Sequence, residues 1–214
     1  MTKKALIFWG GWDGHTPQQS AAVVRDMLTA HGMSVTVEAG TAVLARADLS
    51  AFDLIVPMIT MSTIEPEELK ALTAAVEAGT GLAGFHGTMG DSFRASPDYQ
   101  FMTGGQWVAH PGNIIDYRID ITRPDDPIMA GIDSFDYRSE QYYLHVDPAN
   151  EVLATTTFSG AYFPSIEGVV MPVVWKRRYG NGRVFYSALG HTAEEFAVPQ
   201  MRRIFERGAL WATR

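Results

Sequence analysis

The chain has 214 residues, 17 lysines and arginines against 24 aspartates and glutamates, a formal net charge of −7 and no cysteine. The length suits an α/β domain with a sizeable core, and the acidic balance argues against a nucleic-acid binder, which carries a basic face. The missing thiols exclude disulfides, zinc–thiolate sites, iron–sulfur clusters and a cysteine nucleophile, and no apolar run approaches the ~18–20 residues of a membrane-spanning helix.

The first segment, Ala5-Leu6-Ile7-Phe8-Trp9, is apolar and closed by Gly10-Gly11, the pattern of a strand buried on both faces. Lys3-Lys4 before it imitates a signal peptide, but the run falls short of the ~7–15 residues of an h-region, so a cytoplasmic protein is expected. Thr16-Pro17 reads as an N-cap with proline at the first helical position. The helix over 17–31 carries Ala21, Val24, Met27 and Leu28 on one face and stops at His31-Gly32. Strands follow at 34–38 and 54–58. Glu65-Pro66-Glu67-Glu68 opens a helix to about Ala78, with acidic residues at its positive end. Leu82-Ala83-Gly84-Phe85-His86 is the next strand, running into the turn His86-Gly87-Thr88. This alternation predicts a mostly parallel sheet flanked by helices.

The second half changes character. Residues 113–121 alternate through Ile115, Tyr117, Ile119 and Ile121, as does 168–175 on either side of Pro172. Segments 171–178 and 183–188 flank Tyr179-Gly180-Asn181-Gly182 and predict a C-terminal β-hairpin. A last helix over 198–212 carries Met201, Ile204, Phe205, Leu210 and Trp211. With no linker or repeat, residues 1–214 are expected to form a single domain.

Ligands of open α/β sheets bind beyond the carboxyl ends of the strands. Three polar clusters fall there: Asp13-Gly14-His15, His86-Gly87-Thr88 with Asp91, and His191-Thr192-Ala193-Glu194-Glu195. Their meeting in one site is weighed against each histidine serving its own turn, most evenly for His15, where Thr16-Pro17 already explains a helix start. Glycines at 84 and 87 around His86 suit a sharp strand-to-turn bend, the place of a nucleophile elbow. Histidine there is a better general base or metal ligand than nucleophile. Further candidates are Trp107 and His110, and Glu140, Tyr142 and His145. Glu140 and His145 would face apart in a strand and converge only in a loop. Trp9, Trp12, Trp107, Tyr142 and Tyr143 offer aromatic surface to a sugar or to the core. Histidine and carboxylate ligands without sulfur suit an open transition-metal site, although no HxxxH or HExxH pair is present. Neither the GxGxxG turn nor the P-loop is found. Lys176-Arg177-Arg178 reads as a solvated strand edge.

The run from Pro172 through Trp175, Tyr179-Gly180-Asn181-Gly182 and Tyr186-Ser187 to Gly190-His191-Thr192 resembles the C-terminal signature of the ThuA-like (trehalose-utilisation) proteins. Gly84-Phe85-His86-Gly87 is similar to their Gly-x-His-Gly turn, and Gly105–Gly112 and Ser139–Tyr143 to their central motifs. The resemblance spans the chain in order. It implies a flavodoxin-like, class I glutamine amidotransferase-like fold in which His86 stands where the amidotransferases place cysteine, and His191 with Glu194 is reminiscent of their late His-x-Glu pair. Without cysteine, glutaminase chemistry is not expected. The family is associated with sugar catabolism beside oxidoreductases that make 3-keto sugars. The expectation is an enzyme acting on a glycoside or keto-sugar by acid–base chemistry (isomerisation, elimination or hydrolysis). His86, Glu140 and His191 are its catalytic candidates; His15, Asp91, Trp107, His110 and Tyr142 would bind substrate. A divalent transition metal is left open as cofactor, with His86 and His191 as ligands. The alternatives are a metal-dependent hydrolase using the same cluster, and a non-catalytic subunit that binds a sugar or an oxidoreductase. Expected partners are a sugar substrate and, for a homo-oligomer, further copies of the chain, with no nucleic acid and no membrane.

Overall fold

A computed structural model describes residues 2–214. The first apolar run forms β1 (Lys4–Gly11), in which Ala5 to Phe8 are wholly buried. α1 (Pro17–Ala30) covers it with Ala21, Val24, Met27 and Leu28. Thr16 does not cap α1 with its side chain. Its backbone is left-handed (φ 46°), and Oγ1 turns away to accept the Ala193 N–H at 2.9 Å. That corrects the N-cap reading: Thr16 ties the helix entry to the far end of the chain.

β2 (Ser34–Ala39), α2 (Val43–Arg46) and β3 (Leu54–Thr60) follow. α3 (Pro66–Ala78) starts with a capping box in which the Glu68 carboxylate accepts the Glu65 N–H at 3.0 Å. β4 (Gly81–Phe85) stops one residue earlier than its apolar pattern suggested, because His86 opens the single turn α4 (His86–Gly90). α5 (Pro97–Thr103), β5 (Gly105–Ala109), β6 (Ile114–Ile121), β7 (Phe135–Glu140), β8 (Tyr143–Val146) and β9 (Glu151–Thr157) form the middle of the chain. β10 (Val170–Tyr179), β11 (Gly182–Ser187) and α6 (Pro199–Ala212) complete it.

Nine strands make one sheet in the order β2-β1-β3-β4-β11-β10-β9-β6-β7. Neighbours from β2 to β11 are parallel; beyond β11 they pair antiparallel, so that β10 and β6 run against the common direction. Tyr179 lies opposite Gly182 where β10 turns into β11. Pro172 coincides with a register shift against β9, as expected of a residue with no N–H to donate. β5 and β8 pair apart from the main sheet, Gln106 opposite His145.

Because β10 lies inside the sheet, Lys176-Arg177-Arg178 is not the solvated edge its charge suggested. Lys176 is nearly buried and paired with Asp126, Arg177 reaches the Asp147 carboxylate at 3.1 Å, and Arg178 alone is exposed. α6 packs Met201, Ile204, Phe205 and Ala209 into the core. The Phe205 ring meets Phe85, the last residue of β4, edge-on with centroids 4.9 Å apart. Full burial of such a side chain contributes roughly 1.5–3 kcal/mol and fixes the strand end from which His86 projects.

Candidate active site

The cluster is built on the ends of strands that are distant in sequence. After β1, Trp12 N–H donates to Thr60 O at the end of β3 (3.2 Å), and a single 3-10 turn over Asp13–His15 turns His15 inward. After β4, His86 takes a left-handed backbone (φ 45°), a conformation rare for a residue with a side chain. Gly87 beside it has no room for one: a Cβ there would lie 2.3 Å from His15 Cε1 and 3.0 Å from Tyr142 Oη. Glu140 ends β7, and His191 follows β11.

These four side chains meet. His86 Nε2 is 3.0 Å from Glu140 Oε2, His191 Nδ1 is 3.3 Å from the same oxygen, and the two nitrogens are 3.3 Å apart. His15 Nε2 stands 4.0 Å from Glu140 Oε2. His15, His86 and Glu140 are buried, and His191 is half-buried. Three of them have an outer anchor. His86 Nδ1 donates to Ala188 O (2.9 Å), His15 Nδ1 bonds Thr60 Oγ1 (2.8 Å), and the Glu140 carbonyl accepts Tyr117 Oη (3.2 Å).

The electrostatics follow from this packing. Burial, then the neighbouring His86 and His191, push the His15 imidazole down to about 2, so the ring is neutral. Burial works against charge on Glu140, yet bonds from His191 and His86 hold its carboxyl well below the usual range. Burial opposes the His191 cation as well, but the Glu140 contact raises that imidazole above its ordinary value.

His15 and Glu140 of the cluster floor a cavity of about 350 Å³, walled by Trp12, Trp107, Tyr142 and Arg94. Tyr142 stacks on His86 (centroids 4.0 Å apart, planes at 29°). His110 Nε2 is 3.7 Å from Glu140 Oε1. Asp91 also lines the cavity, clamped by Arg94 through Nε (2.6 Å) and Nη2 (2.8 Å), while the guanidinium lies 4.6 Å from the centre of the Trp107 ring. A neighbouring cleft of about 310 Å³ between α3 and α5 is apolar and hydroxyl-lined apart from Asp98. It has no titratable cluster.

Six of the eight site residues singled out from sequence line one cavity, and the other two, His86 and His191, lie directly behind it against Glu140. Three neighbouring readings need correction. Glu194 is exposed; Glu195 turns inward, accepting the His191 N–H (2.9 Å), Ser139 Oγ (2.9 Å) and Tyr137 Oη. Tyr137 Oη in turn accepts the Gly190 N–H at 3.2 Å. His145 is exposed on β8 and does not converge with Glu140. Asp13 is exposed too, its turn having rotated His15 inward instead. Sequence reasoning missed Arg94, Thr60 and Asn113; only Arg94 had a signal, lying three residues after Asp91.

The molecule is therefore a mixed α/β protein with a histidine–carboxylate centre at the ends of its strands. A family model described as "ThuA: Trehalose utilisation" matches residues 4–212, and the chain belongs to that family. Its fold is similar to a ThuA-like protein from Parabacteroides merdae (TM-score 0.81, 18% identity, 99% of this chain and 90% of that one). A ThuA-like protein from Bacteroides uniformis gives a TM-score of 0.78 at 20% identity, covering 97% and 89%. A β-galactosidase from Bacillus circulans sp. alkalophilus contains a similar region (TM-score 0.61, 17% identity, 96% of this chain but 31% of that one). None of the curated proteins compared with the chain matches it. No helix among the described residues is long and apolar enough to cross a membrane.

Proposed function

We propose that this ThuA-family protein is an enzyme of sugar metabolism that acts on a keto-sugar or glycoside by removing a proton from the carbon beside a carbonyl. The observation that carries this reading is the Glu140 carboxylate, buried between His86 and His191 at the floor of an aromatic-walled cavity. Such a group is a general acid or base held where water is scarce. The base takes the proton, and the electron pair moves onto the carbonyl oxygen as an enolate. Collapse then either returns a proton to the neighbouring carbon, an isomerisation, or expels the glycosidic oxygen, an elimination. In this reading His110, which lines the cavity beside Glu140, protonates that oxygen. Trp107 offers a stacking face, and the Asp91–Arg94 pair offers donors and acceptors to hydroxyls.

The family description supports the substrate class. In this reading residues 1–214 act as one domain of amidotransferase-like fold, with no glutaminase activity because no cysteine is present. A neighbour from Salmonella typhimurium is named a cytoplasmic protein, which supports the same place for this one.

The test is turnover of a panel of 3-keto glycosides and free keto-sugars, followed by carbonyl loss or isomer formation. Wild type is expected to turn over at least one, and His86→Ala and Glu140→Gln to lose at least a hundredfold while keeping the native circular dichroism. Unchanged turnover in both variants would remove these residues from the mechanism. Binding without turnover by wild type would favour a sugar-binding subunit.

A further inference from the structure

We propose that His15, His86, Glu140 and His191 together bind one divalent transition-metal ion. This deepens the reading of the same site by naming its cofactor, and it depends on that reading only for the substrate the ion would address.

The argument starts from the hydrogen on His86. Its Nδ1 lies 2.9 Å from Ala188 O, an atom that can only accept, so Nδ1 carries the proton. In the tautomer with a single proton, the lone pair of Nε2 points inward. There it meets Glu140 Oε2 at 3.0 Å and His191 Nδ1 at 3.3 Å. A bare lone pair facing a carboxylate oxygen at that distance is repulsive unless something positive lies between them. A proton on Nε2 can also fill the role, making His86 an imidazolium, but it bridges only one pair of these atoms. A single cation satisfies all the inward atoms at once.

The spacings suit a metal. In a tetrahedron with bonds of about 2.0–2.1 Å, ligand atoms are separated by roughly 3.3–3.4 Å. The three inner spacings are 3.0, 3.3 and 3.3 Å. His15 is set wider, 4.0 Å from Glu140 Oε2, with all four ligand atoms within 4.8 Å of one another. It would close by a small ring movement or occupy a place in a five- or six-coordinate shell.

The surroundings have the form of a metal site's outer shell. Metal-bound histidines pass their other ring nitrogen to a carbonyl, hydroxyl or carboxylate, which fixes the tautomer and the ring plane. His86 does so to Ala188 O, His15 to Thr60 Oγ1, and the His191 backbone is gripped by Glu195. Three imidazoles and one carboxylate, without sulfur, favour zinc, manganese, iron(II), cobalt(II) or nickel(II) over calcium or magnesium. The cluster opens on the cavity, so a substrate oxygen could complete the coordination. With a cation in place, His86 and His191 no longer serve as bases. Glu140 Oε1, the carboxylate oxygen the ion does not need, and His110, 3.7 Å from it, are the groups left free to move a proton.

The experiment uses the full chain without an affinity tag. The metal content of the purified protein is measured by mass spectrometry, the ion is stripped with a chelator, and the protein is titrated with Zn²⁺, Mn²⁺ and Co²⁺. About one ion per chain is expected to bind, with a visible Co²⁺ absorption spectrum of nitrogen–oxygen coordination and a rise in Tm with metal concentration. His86→Ala and Glu140→Gln are expected to weaken binding at least a hundredfold, whereas exposed His145→Ala retains it. Should His86→Ala fail to fold, His191→Asn on the half-exposed loop serves instead. No saturable binding at micromolar metal, or binding that survives both a His86 or His191 substitution and Glu140→Gln, would overturn the proposal. Because the readout is metal content and spectrum, a metal-free enzyme that still turns over keto-sugars would refute the cofactor and leave the reaction class standing. A metal-loaded protein inactive on the panel would do the reverse.

Discussion

Glu195→Ala should destabilise the protein far more than Glu194→Ala, although the two residues are adjacent and chemically alike. The Glu195 carboxylate receives the His191 N–H, the Ser139 hydroxyl and the Tyr137 hydroxyl, and Ser139 and Tyr137 are buried. A buried polar group left without its partner costs roughly 1–3 kcal/mol. Hydroxyls can reorient, and water can enter beside a half-buried Glu195, so the summed loss is set at ~2–5 kcal/mol rather than the full total. For a chain of this size each kcal/mol lowers Tm by about 2–4 °C, which gives a fall of ~4–20 °C. Glu194 is exposed, and its removal should stay within about 0.5 kcal/mol. Urea unfolding of wild type, both alanine variants and Glu195→Gln measures the difference. The glutamine keeps one acceptor and should fall between wild type and Glu195→Ala. Equal effects at the two positions would refute the assignment of Glu195 as the anchor of the His191 loop.

Two further outcomes follow from the packing. Below pH 6.5 the unfolded chain protonates His15 while the folded chain, in which that pKa is depressed to about 2, does not. Unfolded protein then binds the extra proton, so stability of the metal-free form should fall by ~1.4 kcal/mol per pH unit as pH drops from 6 to 5. His191, raised in the fold, is protonated in both states there and adds no slope. His15→Gln should flatten the profile, and an unchanged slope in that variant would show that another group is responsible. Gly87→Ala would force a methyl into the His15 ring, 2.3 Å away, and should cost about 1–3 kcal/mol while displacing His15. Wild-type Tm and metal uptake in that variant would contradict the close approach.

How far the sequence revealed this structure depends on whether a segment's pattern is set locally. β1, α1, β3, α3 and β4 carry apolar runs or helical spacing strong enough to read directly. β7 and β9, with sequences FDYRSE and EVLATTT, do not. Their polar residues sit inside the sheet only because tertiary partners receive them: Ser139 bonds Glu195, and Thr156 accepts from the Gln141 amide at 2.8 Å. The basic triplet failed for the same reason, since a charge run gives no hint that Asp126 and Asp147 lie across from it. His15, His86 and His191 were legible because glycine-bounded strand ends are where polar groups gather, and Glu140 because it is the carboxylate of the Ser139–Tyr143 run that resembles a family motif. The choice between Glu194 and Glu195 was not, because it rests on the rotation of one 3-10 turn over Ala193–Ala197.

The charge at the cavity also has a definite sign. Three imidazoles with centroids 4.8, 5.0 and 5.2 Å apart cannot all be protonated without strong mutual repulsion, and His15 is held neutral by burial. Asp91 is neutralised by the bidentate Arg94. The anchors of the rings are a carbonyl and a hydroxyl, which bring no charge. Glu195 spends its carboxylate on backbone and hydroxyl donors. That leaves Glu140 as the carboxylate bonded to the rings, supplied by β7 at the outer edge of the antiparallel extension, whereas all three histidines follow strands of the parallel half. A site with a neutral His15 ring and a single buried anion, whose pull already raises the His191 imidazole, attracts a cation, or a substrate that develops positive charge beside Glu140. It resists a phosphate or carboxylate placed there. The antiparallel extension therefore contributes to the site the one group that sets what it can bind.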